Sequence, residues 1–159
     1  MYNQMIKNLG KSKFGGWLAL NVFTKVDRRI MKWSNARYSS STGTSLAKNA
    51  ILLTSIGAKS GQERDTPLFC TPIGDGGDIA LIASATGHVR HPAWYYNLKA
   101  NPDCVVRFRG VKYNAVARLV EGEERQKVWD QAVRQYDGYE TYRMRTERVI
   151  PVFVLTPVT

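Results

Sequence analysis

The sequence predicts an α+β domain built on a small, partly open barrel of mainly antiparallel strands. Two glycine-bearing turns carry this prediction, because Gly74-Asp75-Gly76-Gly77 and Gly110 each separate two apolar runs of β type, as in β-hairpins. Helical patterns are inserted between these hairpins. A chain of 159 residues with 43% apolar side chains is long enough for one core.

Six apolar runs have the composition and length of β-strands. We expect these strands at residues 49–56, 66–73, 78–84, 104–109, 111–120 and 149–156. The last run carries Pro151 and has Pro157 just beyond it, and proline cannot donate a hydrogen bond to a sheet. We therefore expect this run to lie at a sheet edge or to hold proline at its start.

Helical periodicity predicts three longer segments, at 11–37, 92–100 and 121–136, and a further turn at 139–146. Pro92 marks a start at the first helical position, and Asn101-Pro102 marks a stop. The segment 121–136 opens with three glutamates, whose charge complements the helix dipole. Gly138 interrupts the helical pattern after this segment.

The amino-terminal third of the chain is strongly basic. Ten of the 23 lysines and arginines lie in the first 62 residues, where Asp27 is the one acid. The helix at 11–37 has an apolar stripe made of Ala19, Val22, Phe23, Val26, Ile30 and Trp33. Such a helix suits packing on a core or docking on anionic lipid. We expect residues 1–48 to form this helix and a mobile polar loop at 38–45, ahead of the main domain at 49–159.

Several classes of protein are disfavoured by the residues that carry chemistry. Cys70 and Cys104 lie in apolar runs without a CxxC pattern, which predicts buried thiols. His88 and His91 lack a third ligand nearby, so we expect no metal site and assign His91 a positioning or capping role. The basic residues are not interleaved with aromatic ones, which disfavours nucleic-acid binding. No signal peptide or membrane span is visible, which predicts an intracellular protein.

The stretch I-G-A-K-S-G-Q-E-R-D-T-P at 56–67 holds a glycine-bearing loop between two apolar runs. Lys59 and Arg64 place positive charge there, and we expect the glycines to let backbone N–H groups face a ligand. The order of a P-loop is absent, because Lys59-Ser60 precedes the second glycine, Gly61. The pattern is typical of a phosphate or carboxylate site and also of an ordinary surface turn.

Two aromatic groups follow this loop along the chain. Trp94 and Tyr95, within H-P-A-W-Y-Y-N-L, suit either a pocket for a planar ring or the core, and Asn97 needs hydrogen-bond partners from backbone or ligand. Tyr136 begins a series of tyrosines that recur every three residues, which favours packing or a proton donor beside a carbonyl substrate. No nucleophile elbow is present, so a cofactor must supply the reactivity of any enzyme.

Three ordered motifs now carry a resemblance to a known family. They are L-L-T-S-I-G-A-K-S-G-Q-E-R-D-T-P-L, H-P-A-W-Y-Y-N-L-K-A-N-P and Y-D-G-Y-E-T-Y-R-M-R-T-E-R-V-I-P-V-F-V-L. Over residues 50–157 the chain resembles the deazaflavin-dependent nitroreductases and F420H2-dependent quinone reductases of actinobacteria. The resemblance implies a split β-barrel and the cofactor F420, from which a hydride passes to a quinone, an enone or a nitroaromatic compound.

The resemblance also implies roles for individual residues. The cofactor's phosphate and acidic tail are expected at Lys59, Ser60, Gly61 and Arg64, with Pro67 following. The deazaflavin ring and its ribityl chain are expected beside Ser84, Gly87, Trp94, Tyr95 and Asn97. The substrate is expected to face Tyr136, Tyr139 and Tyr142, with Tyr136 donating to the acceptor oxygen.

One position departs from the family pattern. Many relatives have S-K-G-G where this chain reads Ser84-Ala85-Thr86-Gly87, so a cationic contact is missing at Ala85, unless His88 or Arg90 substitutes for it. Two alternatives therefore stay open: a non-catalytic cofactor or lipid-surface binding protein, and a split-barrel protein that binds FMN or haem. We expect a monomer or homodimer, either free in the cytoplasm or peripheral to the inner face of the cell membrane.

Overall fold

The structure, a computed structural model, describes residues 26–39, 42–43 and 47–158 of the chain. In this part of the chain, seven strands form one antiparallel sheet in the order β2-β1-β5-β6-β7-β4-β3. The strands are β1 (Ala50–Ile56), β2 (Glu63–Phe69), β3 (Thr71–Ile73), β4 (Asp78–Ile82), β5 (Asp103–Phe108), β6 (Val111–Val120) and β7 (Val152–Pro157). The predicted α+β class with a partly open, split barrel is confirmed.

The sheet curls because its two edge strands are consecutive in the chain. Only Cys70 separates β2 from β3, yet β2 pairs with β1 at one edge and β3 pairs with β4 at the other. The prediction of one strand over 66–73 is therefore wrong. The backbone N–H of Cys70 donates to the carbonyl of Asn49, at 2.9 Å, which fixes the bend. Buried apolar side chains fill the interior of the curl.

Both predicted hairpins are present. Ile73 pairs with Asp78 across the first turn, where Gly74 and Gly77 have φ of 56° and 85°. These left-handed values are accessible to glycine at no steric cost, which explains why the turn is glycine-rich. The second turn joins β5 and β6 at Gly110, whose φ is 87°.

The last strand lies inside the sheet and not at its edge. β7 pairs with β4 on one side and with β6 on the other, so the expectation of an edge position is wrong. Pro151 directly precedes β7 and Pro157 ends it, so the alternative of proline at the strand start is the closer description. Pro67 lies in the edge strand β2, where a missing N–H is tolerated.

Four helices pack around the sheet within the described part of the chain. They are α1 (residues 26–34), α2 (Ala93–Ala100), α3 (Gly122–Gln135) and α4 (Gly138–Met144). Side chains of α2 join the core inside the curl, and α3 and α4 cover the opposite face of β4, β6 and β7. Pro92 occupies the N-cap position just outside α2, one residue before the first helical position that the sequence predicted for it.

The described part of the basic amino-terminal helix presents a different face to the core than predicted. Trp33 is 84% exposed and Val26 is 50% exposed, so these members of the predicted stripe do not pack inward. Met31 is buried instead, in one cluster with Leu52 of β1. The helix ends at residue 34, because Asn35 and the following alanine adopt left-handed φ values of 49° and 58°. Residues 11–25 of the predicted helix lie outside the described residues.

Both cysteines are buried, as predicted. Burial raises the pKa of Cys70 and of Cys104 to about 12, so both thiols stay protonated at neutral pH. Among the described residues, no three His, Cys, Asp or Glu side chains cluster closely enough to hold a metal ion. No helix in the described ranges combines the length and the apolar character needed to cross a membrane.

Candidate functional site

A cleft of about 1210 Å³ opens between α2 and the loop that joins β1 to β2. This volume exceeds the roughly 300–1000 Å³ of most small-ligand pockets, so the cleft has room for a ring with a long tail. Five of the predicted site residues line it: Lys59, Ser60, Arg64, Trp94 and Asn97. Residues from two separate sequence motifs therefore line one cavity.

The loop between β1 and β2 is closed by its own backbone. Gly57 donates to the carbonyl of Gln62 and Gly61 donates back to the carbonyl of Gly57, both at 2.8 Å. The φ of Gly61 is 65°, which favours glycine there. Of the N–H groups of residues 57–62, those of Lys59 and Ser60 at the loop tip have no acceptor among the described residues. These two N–H groups remain for a ligand, whereas those of Gly57, Ala58 and Gly61 are bonded within the protein.

Asn97 ties this loop to α2. Its Oδ1 accepts a hydrogen bond from the N–H of Ala58 at 3.0 Å, and its Nδ2 donates to Ser55 Oγ at 3.3 Å. The side chain is buried, with 8% of its surface exposed. The amide thus finds backbone and side-chain partners inside the protein, and it sets the position of the loop at the mouth of the cleft.

Positive charge dominates the cleft. Lys59 and Arg64 extend from the loop and from β2, and Arg28 and Lys99 line the same cavity from α1 and α2. None of these four side chains forms an ion pair with an acid in the described part of the chain. Arg64 donates to Ser60 Oγ at 3.2 Å, which leaves further guanidinium donors for a ligand. The cleft is therefore suited to an anion.

Two acids also line the cleft, but one of them is neutralised. Asp65 accepts from Lys32 Nζ at 2.7 Å and from Thr54 Oγ1 at 2.6 Å. Burial acts to raise the pKa of Asp65, but these hydrogen bonds and the charges of Lys32 and Arg107 hold it below the usual aspartate value. Glu63 is the other acid, and it is exposed. The electrostatic balance therefore favours an anionic ligand.

The aromatic side chains of α2 divide between cleft and core. Trp94 lines the cleft and packs against Phe153 of β7, with ring centroids 6.1 Å apart. Tyr95 is buried behind the cleft, 4.3 Å from the ring of His91 and 5.9 Å from that of Phe153. Trp94 is 5% exposed and Tyr95 is 8% exposed, and both belong to the core cluster, so only a small part of the Trp94 side chain is open to the cleft.

The three predicted tyrosines converge. Tyr136 and Tyr142 share a hydrogen bond between their hydroxyl groups at 3.0 Å, and Tyr139 of α4 has its ring edge-on to those of Tyr136 and Tyr142. Gly138 makes this possible, because a Cβ there would overlap the Tyr136 ring. Burial, reinforced by the hydrogen bond with Tyr136, raises the pKa of Tyr142, so this hydroxyl keeps its proton at neutral pH.

The turn at Ser84–Gly87 contacts α4 and is linked through Arg148 to the wall of the cleft. Gly87 has a φ of 83° and packs so closely on α4 that a Cβ would lie 2.7 Å from the carbonyl oxygen of Tyr142. The carbonyl of Ser84 accepts from Arg148 Nη2 at 2.8 Å, and Nη1 of the same arginine lies 3.0 Å from His91 Nδ1 at the cleft wall. The turn therefore packs on the helix that carries Tyr139 and Tyr142 and is linked to the cleft wall through Arg148.

Some predicted site residues lie outside the cleft lining, and the sequence did not indicate some of the residues that line or support the site. Gly61, Pro67, Ser84, Gly87 and Tyr95 do not line it, nor do the three tyrosines. Reasoning from the sequence did not assign Arg28, Lys99, Arg148 or Gly138 to the site. The composition of α2 could have indicated Lys99, which follows Asn97 by two residues. Arg148 has no comparable signal, because its partners are about 60 residues away in the chain.

Known proteins resemble this chain over most of its length. A family model described as F420H(2)-dependent quinone reductase matches residues 27–157. An F420H(2)-dependent quinone reductase of Mycobacterium tuberculosis is 38% identical over 114 residues, which is 69% of this chain and 74% of the relative. The solved structure of an F420-H2 dependent reductase, FDR-A, has 40% identity and a TM-score of 0.62 and covers 68% of this chain and 94% of its own.

A second solved structure, described as a domain-swapped dimer, has 36% identity and a TM-score of 0.64. It covers 82% of this chain and 94% of its own. The family model spans far more than half of the sequence and includes every residue of the cleft and of the tyrosine cluster. The chain belongs to the F420H2-dependent quinone reductase family and is an F420-dependent reductase.

Proposed function

We propose that this reductase binds reduced F420 in the cleft and passes a hydride to an electron-poor, apolar acceptor held beside the tyrosines. The observation that supports the proposal is the cationic cleft, whose wall at His91 is linked through Arg148 to the Ser84–Gly87 turn on which the tyrosine-bearing helix α4 packs. Quinones, activated enones and nitroaromatic compounds all fit the acceptor role, because each gains negative charge on oxygen as hydride arrives.

The residues of the cleft fit the cofactor by charge and shape. Lys59 and Arg64 would hold its phosphate and acidic tail, with donors from the hydroxyl of Ser60 and the two N–H groups at the loop tip. Trp94 would contact the ring, and Asn97 would act through the loop that it positions. When bound, the reduced cofactor supplies a hydride as a two-electron donor. Arg28 and Lys99 extend the same positive field.

The tyrosine cluster is suited to an acceptor oxygen. Because one hydroxyl of the Tyr136–Tyr142 pair donates to the other, the second keeps its proton for a ligand. A hydroxyl that donates while also accepting is a stronger donor. We assign the contact with substrate to Tyr136, supported by Tyr142, while Tyr139 is 8% exposed and packs against Trp129. This donor would stabilise or protonate the developing anion.

The test of this assignment is anaerobic turnover with reduced F420 and three acceptors: a soluble quinone, an enone and a nitroaromatic compound. We expect Tyr136→Phe to lower kcat by about 100-fold, since general-acid assistance contributes at least that factor, and to leave F420 affinity unchanged. Tyr38→Phe is the matched control, because Tyr38 is exposed and far along the chain from the cluster. Equal kcat values for Tyr136→Phe and wild type would refute the role of the phenol.

The same assay decides between a reductase and a cofactor carrier. Ala85, where many relatives have lysine, is the feature that favours a weaker or non-catalytic site. Binding of reduced F420 without oxidation by any acceptor would contradict the proposed activity and would support the carrier. Turnover with at least one acceptor would exclude it.

We also propose that α1 rests on an anionic membrane surface at the cytoplasmic face. Trp33 and Val26 are exposed on the same side of the helix as Arg29, a combination of apolar and basic side chains that suits an interfacial helix. We expect sedimentation with vesicles that contain anionic lipid, little with neutral vesicles, and a loss of binding in Trp33→Ala. Equal sedimentation with both vesicle types would refute the electrostatic part of this proposal.

Oligomeric state is part of the same proposal. The chain acts as a monomer or a homodimer, and the domain-swapped relative supports the second. Light scattering on the purified protein distinguishes the two, since a dimer doubles the mass of 17.9 kDa.

A further inference from the structure

Arg148 joins four acceptors that belong to one stretch of chain. Its Nε donates to the carbonyl of His88 at 2.9 Å, and its Nη2 donates to the carbonyls of Ala83 and Ser84 at 3.1 and 2.8 Å. Its Nη1 lies 3.0 Å from Nδ1 of His91. Within the described residues no carboxylate pairs with this guanidinium, so its donors are used on backbone and imidazole.

The backbone that Arg148 grips has an unusual conformation. Ala85 and Thr86 have φ of 45° and 55°, and Gly87 follows with 83°. Left-handed backbone is strained for a residue other than glycine, so two successive examples gain from contacts with the surrounding structure. Arg148 contacts the carbonyls on both sides of this turn, and α4 packs against Gly87. The turn therefore has support from outside in addition to its own hydrogen bonds from the N–H of Gly87 to the carbonyl of Ser84 and from the N–H of His88 to that of Ala85.

The contact with His91 fixes the state of an imidazole in the cleft wall. A guanidinium has donors only, so Nδ1 of His91 must accept and the ring proton must reside on Nε2. Burial and the charges of Arg148 and Lys99 lower the pKa of His91, and the rings of Tyr95 and Tyr96 pack beside it. The imidazole is thus neutral, with one N–H left to donate.

We propose that Arg148 is a positioning residue of this reductase: it holds the turn at 84–88 and fixes His91 as a neutral imidazole whose Nε2–H donates to a polar atom of the bound cofactor. The first two parts rest on the contacts of Arg148 alone. The last part also rests on the proposed function, because it needs F420 in the cleft that His91 lines.

The tautomer can be measured without cofactor or turnover. The chain has two histidines, so ¹⁵N-labelled histidine gives two ring systems, and His88→Gln identifies the signals of His91. We expect the wild-type His91 ring to show a protonated Nε2 and an unprotonated Nδ1 at neutral pH. We expect Arg148→Lys, which keeps the charge but not the planar fork, to give both tautomers. A protonated Nδ1 in the wild type, or an unchanged spectrum in Arg148→Lys, would overturn the proposal.

Calorimetric titration with F420 tests the functional part. We expect Arg148→Lys and His91→Phe each to weaken binding about tenfold and the double variant to be no weaker than either, because the two residues act as one unit. Arg143→Lys is the control, since Arg143 is exposed and its guanidinium pairs with Glu140, away from the cleft lining. Losses that multiply in the double variant would overturn the coupling. If wild type fails to bind F420, the proposed function falls, while the tautomer measurement still decides the role of Arg148.

Discussion

Asn97 offers a sharp test of how the cleft is assembled. Replacing Asn97 with alanine removes the acceptor for the N–H of Ala58 and the donor to Ser55 Oγ. Two hydrogen bonds of about 1 kcal/mol each put the loss near 2 kcal/mol. For a domain of this size that corresponds to a fall in Tm of about 4–8 °C, which thermal unfolding followed by circular dichroism will resolve.

The same substitution should act on the site as well as on stability. The loop that carries Lys59 loses its tie to α2, so F420 binding should weaken even though the Asn97 amide is occupied inside the protein. Ser55→Ala is the matched control, because it removes only the longer bond of 3.3 Å and should lower Tm by about half as much. An Asn97→Ala protein with wild-type Tm and wild-type F420 affinity would refute the anchoring role.

Two further predictions concern the tyrosine cluster and the packing of α1. Gly138→Ala should displace the Tyr136 ring, cost about 1–3 kcal/mol in denaturant unfolding and lower turnover, whereas Gly76→Ala, with open space around it, should do neither; equal turnover would contradict the packing. Asp65→Asn should cost about 1 kcal/mol at pH 7 by losing the ion pair with Lys32, because that lysine is half exposed and solvent screens its charge. Because the folded pKa of Asp65 is lowered, this stabilisation is present above the pKa of the unfolded chain and is lost as pH falls through the folded value. The free energies of unfolding of the two proteins should therefore begin to converge as pH falls below about 4 and meet below the folded pKa of Asp65, and a gap that does not narrow over this range would contradict the ion pair.

Local sequence patterns predicted which segments form strands, turns and helices better than they predicted which strands pair in the sheet. The hairpin turns follow from glycine conformation, so Gly74, Gly77 and Gly110 indicated them directly. The break at Cys70 and the interior position of β7 depend on which strands pair across the barrel, and pairing between distant strands leaves no local mark. The buried face of α1 likewise depends on the surface that β1 offers to it.

In the candidate site, too, the properties of single side chains could be predicted from the sequence, whereas contacts between distant residues could not. The charge of Lys59 and Arg64 and the shape of Trp94 are properties of the side chains, and the structure brings all three into one cleft. The partners of Asn97 lie 39 and 42 residues away, so the sequence indicated a need for hydrogen bonds without identifying them. Arg148 is one of several arginines near the carboxyl end, and only the folded chain distinguishes it.

The central claim is that the cationic cleft holds F420, and a calorimetric titration tests it most directly. We predict saturable binding by the wild type and an affinity about 100-fold lower in Lys59→Ala/Arg64→Ala, since two exposed charge-assisted bonds of about 1.5 kcal/mol each are removed. Arg134→Ala, an exposed position on α3, should bind as the wild type does. No saturable binding by the wild type, or equal affinity in the double variant, would contradict the assignment of the cleft.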